Sequence, residues 1–201
     1  MSGHDDTNVF WNWTKERIDE MDAALASLEA KARPLKAEYR TKAEQLLTEL
    51  KKHRDTFKAA ASKQAKAGEA AWERAKSQLE LEWTAFEEQV NTFFNSLGKE
   101  SGHQQQSTFR DIAAAQAKAW EEAAHSFEKS FGKVAATRRK EVEAAVKQMK
   151  ADAIDVHARL QKMKHAQNES WSALSAALAE SRKAFDKANH KAWDAFRRAA
   201  G

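Results

Sequence analysis

Residues Ala71 to Leu97 read AWERAKSQLELEWTAFEEQVNTFFNSL, and Trp72, Leu79, Trp83, Phe86, Val90, Phe93 and Leu97 fall largely at alternating three- and four-residue steps. A helix brings residues so spaced to one face, because about 3.6 residues complete a turn. About a hundred residues later, Ser170 to Phe196 carries Trp171, Leu178, Phe185 and Trp193 in nearly the same places. The two stretches mark one candidate core or interaction face, used twice.

The rest of the chain supports helix throughout. It has 201 residues, 42% hydrophobic and 32% charged, which is enough apolar material for a core. Six Gly and one Pro, set against abundant Ala, Lys, Glu, Gln and Leu, favour helix and leave few residues for strand turns. The expected fold is all-α, an elongated helical bundle or antiparallel coiled coil built from two similar helical repeats.

Residues 1–6 form a polar tail, and Asp5, Asp6, Thr7 and Asn8 are N-cap candidates for the first helix. From Trp11 a stripe runs through Thr14, Ile18, Met21, Leu25, Leu28, Ala32, Leu35 and Tyr39, then through Leu46, Leu50, His53 and Phe57. Pro34 interrupts it, removing a backbone donor and disfavouring helical geometry at Arg33. Because the stripe keeps its phase across Pro34, the spacing favours one kinked helix of about 80 Å over two helices meeting there. Ser62 to Ala70 lacks large apolar residues and contains Gly68, so a turn is expected. The first repeat then spans 7–97, a linker 98–106, and the second repeat 107–199.

An offset of 99 residues matches Met21 with Trp120, Leu28 with Phe127, Leu50 with Met149, Trp72 with Trp171, Leu79 with Leu178 and Phe86 with Phe185. In the second repeat Val142, Val146, Met149, Ala153, Val156, Leu160 and Met163 keep heptad spacing. Arg182 and Asn189, however, stand where Trp83 and Val90 stand in the first. The last helix therefore has a thinner apolar stripe, and the two repeats are not interchangeable.

Charge and motifs narrow the chemistry. The net charge of +4 is spread along alternating signs, and the runs Arg138-Arg139-Lys140 and Arg197-Arg198 are short and separate, which argues against nucleic acid as a partner. No Cys offers a thiolate or disulfide, and no window reaches the length of a membrane span. With no apolar leader, a cytoplasmic protein is the expectation. Glu122 and His125 have the i, i+3 spacing of di-metal bundles, but a second such pair on a helix is missing, since Glu100 and His103 fall in the linker. His4, His53, His157, His165 and His190 form no ligand cluster, so no metal or other cofactor is expected. No serine sits in a Gly-flanked turn and no Gly-rich phosphate loop occurs, so no catalytic residue is assigned. His53 lies near the stripe and Asp152 occupies the matching place in the second repeat. A contact between them would tune register, whereas the plainer reading leaves both solvated.

Ile18-Asp19, Leu28-Glu29-Ala30-Lys31-Ala32 and Arg54-Asp55 on a long helix, then the break at Gly68 and Ala71-Trp72-Glu73 opening an aromatic helix, form a pattern. It resembles a family of bacterial coiled-coil proteins labelled stress-response proteins after a cyanobacterial example. The likeness covers Ile18 to Phe94 well and the second repeat loosely, with Pro34 and Trp11-Asn12-Trp13 as departures. It implies a cytoplasmic, non-enzymatic helical protein associated with stress, and it brings no catalytic residues.

Two functions are expected. The first is a non-enzymatic coiled-coil scaffold or stress-associated interaction protein, acting through self-association or a helical protein partner. The second makes the aromatic stripe a reversible coat on lipid or hydrophobic granule surfaces. They differ in whether Trp83 and its neighbours fill a core or wait at a surface.

Overall fold

A computed structural model describes residues 9–65, 72–96, 102–130, 139–163 and 171–200. Six helices make up the described residues: α1 (Val9–Ala32), α2 (Ala37–Ala65), α3 (Trp72–Ser96), α4 (Gly102–Ser130), α5 (Arg139–Met163) and α6 (Trp171–Ala200). The fold is an all-α helical bundle. Adding 99 to the bounds of α1, α2 and α3 lays them over α4, α5 and α6 to within six residues at each end.

Pro34 ends the first helix instead of kinking it, which corrects the expectation of one long rod. The last α1-type bond runs from Arg33 N to Glu29 O (3.3 Å), and Leu35 N then bonds only to Ala32 O (3.2 Å). Proline has no N–H to continue the ladder and its ring excludes the carbonyl four residues back. Helix resumes where Lys36 O accepts from Tyr39 N (3.0 Å) and Arg40 N (2.9 Å). The turn folds α2 back along α1, with Lys51 on Glu29 (2.6 Å) and Lys58 on Asp22 (2.8 Å). Tyr39, placed on the stripe by its spacing, is consequently 49% exposed.

Other boundaries also move. α2 runs to Ala65, so residues 62–65 of the expected turn are helical, and the remainder of that stretch lies outside the described residues. Residues 102–106 of the expected linker are the first turn of α4. The polar tail and the run from His165 to Ser170 lie outside the described residues too.

Polar pairs fix the helix directions. Ser27 meets Thr108 (3.1 Å) and Lys15 meets Glu122 (2.8 Å), so α1 and α4 run antiparallel. His53 with Glu82 sets α2 against α3 in the same sense, and Arg198 with Glu141 sets α6 against α5. Gln105 Oε1 accepts from the backbone N–H of Trp171 (3.0 Å), while Trp120 stacks on Phe185, so α4 and α6 run parallel.

The interior has two apolar centres. The first joins Met21, Leu28, Leu50, Phe57, Leu79, Phe86 and Phe93 of the first repeat to Phe109, Ile112, Trp171 and Leu178 of the second. The second is built around Trp120, Phe127, Val142, Val146, Met149 and Phe185. The first thus crosses the boundary between repeats: the leading halves of α4 and α6 belong to it.

The Trp120 and Phe185 rings lie 4.9 Å apart at 2° between planes, and both are fully buried. Trp120→Ala is expected to lower the unfolding free energy by about 3 to 5 kcal/mol, since truncation leaves a cavity against an unmoving ring. Leu81→Ala, at a side chain 64% exposed, is expected to stay within about 0.5 kcal/mol. Urea unfolding followed by circular dichroism measures both.

Candidate functional site

The predicted aromatic face faces inward. Leu79, Trp83, Phe86, Val90 and Phe93 of α3 are buried, as are Trp171, Leu178 and Phe185 of α6. Trp193 is partly buried and packs against the second apolar centre. Trp72 opens α3, and its side chain lies outside the described residues. Phe94 joins the set, tilted against Trp171 with centroids 5.0 Å apart, so the two aromatic helices touch. Leu81 of the same helix points to solvent.

Between the two apolar centres lies a seam of buried polar groups. On α1, Asn12, Glu16 and Glu20 recur every four residues and share one face, with Arg17 beside them. On α6, Arg182, Asp186 and Asn189 do the same at steps of four and three. The two rows meet in antiparallel order. Asn12 Nδ2 donates to Asn189 Oδ1 (3.2 Å), Arg17 Nη2 donates to Asp186 Oδ2 (3.1 Å), and Arg182 Nη2 donates to Glu20 Oε2 (2.8 Å).

Neighbouring helices close the seam. From α4, Gln116 Nε2 donates to Glu16 Oε1 (3.1 Å), while Arg17 Nη1 donates to Glu16 Oε2 (3.0 Å). From α3, Glu87 Oε1 stands 3.4 Å from Arg182 Nη2. The guanidinium carbon of Arg17 lies 3.9 Å from the ring centroid of Trp13, and that of Arg182 lies 4.4 Å from Trp83. Stacked on desolvated indoles, such cations gain about 2 kcal/mol or more each.

Burial shifts these groups. Glu16 is 0% exposed. Desolvation and the adjacent Glu20 push its carboxyl well above the ordinary range, against the opposing pull of Arg17 and Arg182. Burial likewise raises Asp186, opposed by Arg17. Although burial disfavours its charge, Glu20, Glu16 and Glu87 hold the Arg182 guanidinium above its ordinary value. A cavity of about 20 Å³ lies among Glu20, Trp83, Glu87, Trp171, Ser175 and Arg182. That is room for about one water molecule.

The remaining candidates sit elsewhere. Glu122 pairs with Lys15 at the surface, which lowers its carboxyl, and His125 is exposed 3.6 Å from Glu128. His53 Nδ1 meets Glu82 Oε2 of α3 (3.1 Å), while Asp152 accepts from Gln148 within α5, so the conjectured His53–Asp152 contact is not formed. Among the described residues no group of three or more His, Cys, Asp or Glu side chains is arranged to hold a metal. No described helix is long and apolar enough to cross a membrane. An open groove of about 590 Å³ beside the Pro34 turn is lined by Glu29, Arg33, Arg40, Glu44 and Lys51. Its charges are of both signs.

Sequence reasoning missed the seam, although one signal for it was visible. Arg182 and Asn189 occupy positions that are Trp and Val in the first repeat, and charge at a core position requires a buried partner. Comparison of the chain with protein-family models, with curated proteins and with solved structures finds no match.

Arg182→Ala is expected to cost about 3 to 5 kcal/mol of stability, because it strands Glu16 and Glu20 in the interior without their countercharge. Lys183→Ala removes only an exposed pair with Glu180 and is expected to change stability by less than about 1 kcal/mol. Parallel urea titrations distinguish the two.

Proposed function

We propose that this chain is a non-enzymatic helical scaffold that acts through association with further copies of itself or with another helical protein. The observation that carries the reading is the use made of ionisable and aromatic groups. The buried carboxylates and guanidiniums are spent on one another in the α1–α6 seam, and the small cavity beside them admits about one water, too little for a substrate. The described aromatic side chains of α3 and α6 pack into the bundle. Such an interior supports a shape that other proteins bind, and the surface helices carry the means of pairing in their interspersed charges and in apolar side chains such as Leu81 and Ile154. The resemblance to bacterial stress-response coiled-coil proteins adds a cytoplasmic, stress-associated setting to the proposal.

A reversible coat on lipid would require α3 or α6 to leave the bundle, since Trp83, Phe86 and Phe185 are buried. Two measurements separate the readings. Sedimentation at micromolar concentration is expected to show a species larger than the monomer, and tryptophan emission is expected to be blue-shifted in buffer and unmoved by anionic vesicles. A plain monomer unaffected by salt would count against self-association. A marked blue shift on adding vesicles, with co-flotation, would favour the coat.

A further inference from the structure

The seam holds four carboxylates, Glu16, Glu20, Glu87 and Asp186, against two guanidiniums, Arg17 and Arg182. Glu87 and Asp186 stand at the rim, 31% and 28% exposed, so the carboxyls withdrawn from water are Glu16 and Glu20. Glu16 and Glu20 are 0% and 1% exposed. They lie one helical turn apart on the same face of α1, which brings their carboxyls side by side. Both approach the same cation, Glu20 Oε2 at 2.8 Å from Arg182 Nη2 and Glu16 Oε1 at 3.6 Å from Arg182 Nε.

The hydrogen bonds are unequal. Both oxygens of Glu16 accept a donor, from Gln116 and from Arg17. Glu20 Oε1 is buried and receives none from the described residues. A buried acceptor without a donor is costly, and a proton on the neighbouring carboxyl supplies one.

Among the described residues the neighbouring cations other than Arg17 and Arg182 are directed away from Glu16 and Glu20. α3 contributes Glu87, with Lys76 acting on Asp186 from the edge. α4 contributes the neutral Gln116, and its Glu122 is taken by Lys15. α2 directs Arg54 and Lys58 to Asp22 rather than to Glu16. α6 contributes Arg182 and Asp186.

We propose that Glu16 and Glu20 share one proton in the closed bundle, so that the α1–α6 seam is a proton-dependent latch which loosens α6 as the medium becomes alkaline. The direction is set by linkage. Unfolded, a glutamate loses its proton near pH 4.3, whereas burial beside Glu20 holds the folded Glu16 well above that. Between those two values the closed state keeps a proton that the open state has released, so closure weakens as pH rises and levels off once the closed state has also ionised. Release of α6 would uncover Trp171, Leu174, Leu178 and Phe185.

The test compares the full chain with Glu16→Gln, which keeps the shape and removes the proton. Hydrogen exchange of the α6 amides, corrected for intrinsic rates, is read at pH 6 and pH 9. In the unmodified protein, protection is expected to fall by at least about tenfold, the equivalent of one unit of pKa difference. In Glu16→Gln it is expected to hold within about twofold. Equal loss in both proteins, or no loss in either, overturns the latch. Should Glu16→Gln fail to fold, Glu20→Gln is read by the same outcomes. Infrared spectra of the unmodified protein at pH 7 give an independent reading. The carbonyl stretch of a protonated carboxyl is expected there, and its absence overturns the proposal.

Discussion

Arg182 carries a full charge into the interior of a bundle whose other core positions are mostly Leu, Phe, Trp and Ala. A buried guanidinium is tolerated only where carboxylates meet it. Glu16, Glu20 and Glu87 must therefore be in place around it, which requires α1 and α3 to stand at one height against α6. Apolar residues would permit a slide of one turn at modest cost, whereas this cluster would be left with unpaired charge. The register of three helices depends on one side chain.

The apolar packing is arranged around that constraint. On α4, Phe109, Ile112 and Ala113 belong to one centre and Trp120, Ala123, Ala124 and Phe127 to the other, with Gln116 between them. α6 divides likewise, with Trp171, Leu174 and Leu178 on one side of Arg182 and Phe185, Ala188, Ala192 and Ala195 on the other. Burial of these aromatic and aliphatic groups supplies the stabilisation that offsets chain entropy. The seam supplies little net stability by comparison and determines which surfaces meet.

How much of this was legible depended on the range of the interaction concerned. The helical face from Leu79 to Phe93 came from spacing alone, because periodicity is local and burial enforces it. Pro34 was misread because Leu28, Ala32, Leu35 and Tyr39 happen to keep phase across a turn, and phase says nothing about whether a helix has folded back. The seam was the least legible. Glu16, Arg17 and Glu20 look like ordinary solvated charges on a Lys- and Glu-rich helix, and the partner that buries Glu20 lies 162 residues away. A local pattern cannot distinguish a charge at the surface from one awaiting a distant countercharge.

The same residues explain why the two halves differ where they do. At the 99-residue offset Glu16 corresponds to Ala115, Glu20 to Ala119, Arg17 to Gln116 and Trp83 to Arg182. If α1 and α4 presented identical faces, α6 would fit either one, and pairing between two chains would compete with pairing within one. Placing both carboxylates on α1 and their countercharge on α6 makes it costly for α6 to dock on α4 in the antiparallel sense it takes on α1, since that would set Arg182 against Ala115 and Ala119 with no carboxylate in reach. Burying a charged cluster at the junction is thus the physical means by which a nearly repetitive chain acquires one arrangement.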